Sequence, residues 1–234
     1  MKKVILAFIM FFIMTSASFA DSNVYITQSG ASLDLDITMD GNNNAVGASN
    51  DRTLLTGANL DVDIDLIGAS NVITGDFIGA GESGADDLKI NQTGSTNTTA
   101  LNVGASAATD DVKILETRVG SSGVTSYIIG SAATVQDVSV TVDVIGDDID
   151  IAITENSSSS GSDKTTDIDI GTDSDDVDII ITHTGAGAHK TKLLCTGSCA
   201  GSDFTMSQTG ANSTDVDLVV TNATSSDVDI TITD

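Results

Sequence analysis

Aspartate is the residue whose spacing first invites a chemical reading. Asp34/Asp36, Asp61/Asp63/Asp65, Asp215/Asp217 and Asp227/Asp229 each alternate with aliphatic residues. Successive side chains of an extended chain point to opposite faces, so every set lines up its carboxylates on one face and its aliphatics on the other. Rows of hard oxygen donors suit Ca2+ or Mg2+, and a cation relieves like charges that face each other across paired strands. Asp34, Asp36, Asp61, Asp63, Asp65, Asp215 and Asp217 are therefore candidate positions for weakly bound Ca2+ or Mg2+. The plainer reading is a solvated acidic face that discourages edge pairing. Neither a Gly-Gly-x-Gly-x-Asp calcium nonapeptide nor an EF-hand loop occurs.

Cys195 and Cys199 stand close together, with His183 and His189 just upstream. In an exported chain this reads first as a disulfide closing a tight loop. A His2Cys2 zinc site is the competing reading, and its spacing matches no zinc motif. Enzyme chemistry finds little to work with. The basic residues beyond position 20 (Arg52, Lys89, Lys113, Arg118, Lys164, Lys190 and Lys192) are scattered, no acid is singled out as half of a glycosidase pair, and four aromatics are available to stack a sugar: Tyr25, Phe77, Tyr127 and Phe204. The expectation is a protein without catalytic activity and without an obligate cofactor. Outward positions carry Asp more often than Thr, which disfavours ice binding. An outer-membrane barrel would need aromatic girdles that are absent.

The elements that must carry these residues are short strands. Period-2 alternation runs through Leu33–Ile37, Leu60–Leu66, Val138–Val144, Ile149–Ile153 and Val228–Ile232, separated by Gly, Ser, Asn and Asp clusters. A longer repeat lies over it. Ser22-x-Val24-x-Ile26-x-Gln28-Ser29-Gly30 matches Ser202-x-Phe204-x-Met206-x-Gln208-Thr209-Gly210, and Asp86-x-Leu88-x-Ile90-x-Gln92-Thr93-Gly94 is a third copy. A fourth, Ile179-x-Ile181-x-His183-Thr184-Gly185, has His in place of Gln. Gly30, Gly94, Gly185 and Gly210 are read as turn residues. Strand starts recur at Leu33, Leu60, Leu88, Val112 and Val138, a nearly constant interval. One such unit cannot bury its apolar face alone, whereas a stack can. The expected fold is all-β, a β-solenoid of stacked strand-turn-strand rungs with a β-sandwich as the alternative. Eight or nine rungs at about 4.8 Å each make a rod of about 40 Å.

The Ser-x5-Gln-x-Gly-x2-Asn pattern carried by Ser22, Gln28 and Gly30, by Ser202, Gln208 and Gly210, and by Gln92, Gly94 and Asn97 resembles the curlin repeat of bacterial curli fibres. The resemblance is clear over about a third of the chain beyond residue 20. It implies that Gln28, Gln92, Asn97, Gln208 and Asn212 form inward amide ladders, and that subunits polymerise outside the cell. A ladder has a physical rationale of its own: a buried unpaired amide costs about 1–3 kcal/mol, and an identical amide one rung away satisfies it.

Residues 1–20 read as a secretory signal. Lys2 and Lys3 precede an apolar run from Val4 to Met14, and Ser18-Phe19-Ala20 supplies a small-x-small cleavage site. That run is too short to span about 30 Å of hydrocarbon, so no integral membrane segment is expected after cleavage, and residues 21–234 form the curlin-like solenoid domain. Beyond the signal, 7 basic and 34 acidic residues leave a charge of −27. Such a chain repels nucleic acid and anionic membranes. The expected partners are the secretion machinery and a second copy of the chain, end to end, with Tyr25-Ile26 and Val228/Ile230/Ile232 as candidate interface residues. Localisation is expected to be extracellular or at the cell surface, reached through a periplasm. The expected role is a fibre or matrix component with amyloid-like character, of the kind that builds biofilms. The alternative is a monomeric adhesin or cation-dependent binding module.

Overall fold

The computed structural model describes residues 22–29, 33–47, 53–57, 59–79, 86–104, 112–130, 137–156, 163–171, 174–196, 199–210, 213–221 and 224–233, so the expected signal segment lies outside the described residues. These residues hold nineteen strands and no helix. In chain order they are β1 (Ser22–Val24), β2 (Thr27–Ser29), β3 (Leu33–Asp40), β4 (Asn43–Val46), β5 (Thr53–Gly57), β6 (Leu60–Ile67), β7 (Ser70–Gly79), β8 (Asp86–Thr93), β9 (Thr96–Val103) and β10 (Val112–Val119). There follow β11 (Ser122–Ile129), β12 (Val138–Ile145), β13 (Ile149–Asn156), β14 (Lys164–Ile170), β15 (Val177–Thr184), β16 (Ala188–Cys195), β17 (Asp203–Thr209), β18 (Ser213–Val220) and β19 (Asp227–Thr233).

The strands deal themselves alternately into two sheets. The second sheet runs β3-β6-β8-β10-β12-β14-β16-β18, and the first runs β1-β4-β7-β9-β11-β13-β15-β17-β19. In the first sheet, β4 and β5 pair with successive halves of β7, and β2 pairs with β5, so β1/β2 and β4/β5 each fill one strand's place. Every described pairing is parallel, and each partner lies one full turn further along the chain, as in Ser22↔Asn44, Leu33↔Leu60 and Ile149↔Val177. A sandwich of hairpins would pair its strands antiparallel. The fold is a β-solenoid with two strands per turn.

Alternation then determines the interior. Leu60, Val62, Ile64 and Leu66 of β6 are buried while Asp61 is exposed, and β10, β12 and β15 repeat the pattern. Rows such as Ile37–Ile64–Ile90 and Ile151–Ile179–Phe204 run along the rod, one residue per rung. A core only two side chains thick needs little aromatic volume, and Tyr127 and Phe204 are buried in it.

Glycine marks the tight corner for a steric reason. A Cβ on Gly94 would lie 2.0 Å from the carbonyl oxygen of Gly68 one rung away, and one on Gly120 would lie 2.2 Å from that of Gly94. Backbones of adjacent corners pack in contact, which excludes any side chain. Gly210 is a glycine on other grounds: its φ is +78°, and a Cβ there would meet the Gly185 carbonyl oxygen at an ordinary contact distance of 3.5 Å.

Candidate functional site

Three features could carry function: amides and charges inside the rod, carboxylate columns outside it, and the two ends.

The amide ladder consists of asparagines. Asn44, Asn71 and Asn97 follow one another in register on β4, β7 and β9, and all are buried. Asn44 Nδ2 donates to Asn71 Oδ1 (3.3 Å) and Asn71 Nδ2 to Asn97 Oδ1 (2.9 Å). The same Nδ2 groups donate to carbonyls of the neighbouring strand ends: Asn44 to Ile67 O (2.8 Å), Asn71 to Thr93 O (3.1 Å) and Asn97 to Val119 O (3.3 Å). The ladder ends at Gly123, because the Arg118 guanidinium fills the place of the next side chain; a Cβ there would lie 2.7 Å from Arg118 Cζ.

The glutamines do not stack on one another, which corrects the expected ladder. Gln92 lies on β8 in the second sheet, whereas Gln28 and Gln208 lie on β2 and β17 in the first. The third sequence copy is therefore not the structural equivalent of the others. Gln92 has Leu66 and Arg118 as register neighbours, and Gln208 has His183 and Ile232. The Gln28 side chain, Gly30 and Asn212 lie outside the described residues. Gly94 and Gly185 occupy corners, Gly185 with φ of +115°.

Each buried glutamine belongs to a polar rung. In the first, Glu116 accepts from Thr125 Oγ1 (3.0 Å), Tyr127 OH (2.9 Å) and Thr99 Oγ1 (2.9 Å), while Arg118 Nη1 donates to Thr125 Oγ1 (2.9 Å). Gln92 Oε1 lies 3.2 Å from Thr99 Oγ1. Burial, with Glu116 beside it, pushes the Tyr127 phenol well above its ordinary range; burial lowers Arg118 although Glu116 opposes this.

The second polar rung joins Glu155, Lys164, Thr166, His183, His189, Thr191 and Gln208. Thr166 Oγ1 donates to Glu155 Oε1 (3.1 Å), and Glu155 Oε2 lies 3.3 Å from His183 Nε2. Lys164 Nζ lies 3.5 Å from His189 Nε2, and the imidazoles meet edge to face at 5.4 Å. Burial raises the Glu155 carboxyl to about 8, against the opposing pull of Thr166 and Lys164. Burial, then His189 and Lys164, lowers His183 to about 3. At neutral pH the proton therefore rests on the carboxyl and the imidazole is neutral. The pair is a neutral acid beside a neutral imidazole, not a salt bridge; Glu155 Oε2 has no hydrogen-bond partner, and the Thr166 hydroxyl lies 3.0 Å from His183 Nε2. Gln208 Oε1 has no partner, while its Nε2 lies 3.3 Å from His183 Nδ1 and 3.0 Å from Thr191 Oγ1. Turned about Cγ–Cδ, the amide oxygen would accept from both His183 Nδ1–H and the Thr191 hydroxyl. All of these groups are sealed from solvent, so they can hold the core in register but cannot meet a substrate.

Outside, the Asp-x-Asp sets stack in register: Asp34–Asp61–Asp87, then Asp36–Asp63–Lys89, with Asp65 bonded by Asn91. Lys89 reaches Asp63 at 3.9 Å across a solvated gap, a contact worth less than about 1 kcal/mol. At the other end, Lys190 and Lys192 stack on Asp215 and Asp217, and Lys192 Nζ donates to Asp167 (3.0 Å). A longer column went unread in the sequence: Asp150, Asp178, Asp203 and Asp227 succeed one another on β13, β15, β17 and β19. Burial, with Asp203 and Asp150 facing it, raises Asp178; burial and Asp169 raise Asp143. Among the described residues no three His, Cys, Asp or Glu side chains converge as a ligand set for a metal ion. Cys195 and Cys199 form a buried disulfide, Cα–Cα 6.4 Å, which takes both sulfurs away from the alternative zinc reading.

The ends are open. Among the described residues β19 has no neighbour on its outer edge, and Val228, Ile230 and Ile232 are 42–49% exposed. Val216, Leu218 and Val220 of β18 are only half-covered. A shallow apolar cleft between Phe204, Met206, Leu218, Val228 and Ile230 opens there. At the other end Val24, Ile26, Leu33 and Leu35 are half-covered. Tyr25 and Ile26 sit between β1 and β2 instead of within a strand, and Tyr25 is exposed. No described helix is long and apolar enough to cross a membrane. No protein-family model, curated protein or solved structure matches the chain.

Proposed function

We propose that this chain is an exported, non-enzymatic structural protein of the cell surface or extracellular matrix, whose solenoids stack end to end into curli-like fibres. The carrying observation is that, among the described residues, both ends leave parallel strands unpaired, with an aliphatic row exposed on β19 and half-covered on β1 and the first half of β3. Unpaired edges are templates for further strands. The charged flanks oppose sideways association, so growth along the rod axis is favoured over lateral clumping. The signal-like residues 1–20 and the partial curlin pattern support export and assembly outside the cell.

The test is incubation of the exported protein at micromolar concentration over a range of ionic strength, followed by electron microscopy and sedimentation. Fibres with a cross-β repeat are expected. A monomer at every concentration would favour the second reading, a binding module whose aspartate column Asp150–Asp178–Asp203–Asp227 faces a cationic surface.

A further inference from the structure

The two sheets do not hold the same number of levels. The first has nine, from β1/β2 to β19, and the second has eight, from β3 to β18. The described strands therefore make up half a turn less than a whole number of coils. Among the described strands β19 has no second-sheet strand above β18 to face, which is why its inward row is bare.

Resting on the end-to-end reading, we infer that the strand completing this half-turn comes from a second copy rotated by half a revolution about the rod axis. Consecutive strands run out along one sheet and back along the other. Gln92 near the end of β8, for instance, meets Thr99 in the first half of β9. Half a revolution about the rod axis exchanges the sheets and reverses strand direction together. The incoming β1/β2 then lies parallel on β18, and the incoming β3 lies parallel on β19, so the coil continues without a gap. Stacking without the rotation would place β1/β2 on β19 and leave one strand's place empty above β18. The lengths agree: β18 and β3 have eight residues each and β19 has seven, while β1 and β2 together span 22–29. Val228, Ile230 and Ile232 would cover Leu35, Ile37 and Met39, as aliphatics cover one another within the rod.

An end about 27 Å long and about 20 Å wide presents roughly 540 Å² on each copy, near 1,100 Å² together, which reaches the lower range of specific interfaces. In the same register Asp227 and Asp229 meet Asp34 and Asp36, so association strengthens as ionic strength rises.

Single-cysteine variants distinguish the arrangements. Thr231, Thr38 and Thr27 are exposed strand residues. After oxidation of assembled mixtures, T231C with T38C is expected to cross-link several-fold more than T231C with T27C. Unmutated rods should repeat every 8.5 rungs, about 41 Å, with a half-turn between copies in electron micrographs. Fibres showing the T231C–T27C link, or no half-turn, would overturn the rotation and leave end-to-end stacking standing. Assembly that stops at a closed dimer would overturn the rotation and fibre growth with it. Absence of any assembly at every ionic strength would overturn both.

Discussion

Raising the pH from 4.5 to 8 is expected to weaken this protein through one buried carboxyl, and replacing it by its amide should abolish that loss. Glu155 titrates near 8 in the fold and near 4.5 when unfolded; His183 titrates near 3 in the fold and near 6.5 when unfolded. Stability changes by about 1.4 kcal/mol per pH unit for each proton by which the two states differ. Between pH 3 and 4.5 the unfolded chain binds the extra proton on His183, so these two groups make stability rise with pH. From 4.5 to 6.5 the native state holds a proton on Glu155 while the unfolded state holds one on His183, and the contributions cancel. From 6.5 to 8 only the native Glu155 proton remains, and stability falls by about 2 kcal/mol. In Glu155→Gln the amide has the same shape, its oxygen accepts from Thr166, and it cannot ionise. The stability of the native protein relative to the variant should therefore drop by about 5 kcal/mol between pH 4.5 and 8. Urea unfolding of both proteins across that range, followed by far-ultraviolet circular dichroism, measures the difference. Surface carboxylates titrate in both and drop out. Two stability curves that run parallel would refute the neutral, desolvated acid at this position.

Three further outcomes are expected. Asn71→Ala should destabilise by about 2–4 kcal/mol in urea unfolding, because it strands the buried amides of Asn44 and Asn97 and the Thr93 carbonyl; the exposed Thr96→Ala should cost under about 0.5 kcal/mol. Gly94→Ala should be worse than Gly210→Ala: the first drives a Cβ into the Gly68 carbonyl, whereas the second meets only a left-handed φ, worth about 1 kcal/mol by thermal melting. Replacing Cys195 and Cys199 by serine should cost about 2 kcal/mol or more, the chain-entropy value for so short a loop. The native disulfide, being fully buried, should resist reductant until the protein is unfolded, as thiol labelling would reveal.

Strands, alternation and the coil were legible in the chain because a period of two and a recurrence at every turn are one-dimensional signals. Gly-x2-Asn recurs at Gly41/Asn44, Gly68/Asn71 and Gly94/Asn97 at rung spacing, and it pointed to the amide ladder more directly than the glutamines did. Likewise Glu116 and Arg118 break the apolar parity of Val112 and Ile114, marking a polar rung within the sequence itself. What alternation cannot convey is which sheet a strand joins. Gln92 and Gln208 share a motif yet lie in opposite sheets, because the assignment depends on how many strands precede each one and not on local residues. The aspartate column from Asp150 to Asp227 escapes notice for a related reason. Corner lengths vary, so the step from Asp150 to Asp178 is longer than those from Asp178 to Asp203 and from Asp203 to Asp227. The pKa values of Glu155 and His183 depend on packing alone, since desolvation arises only when neighbouring rungs close over them. The chain by itself thus determines a two-strand coil with an apolar interior and an acidic exterior; the stacked structure decides which polar side chains meet, because that follows from counting strands in three dimensions.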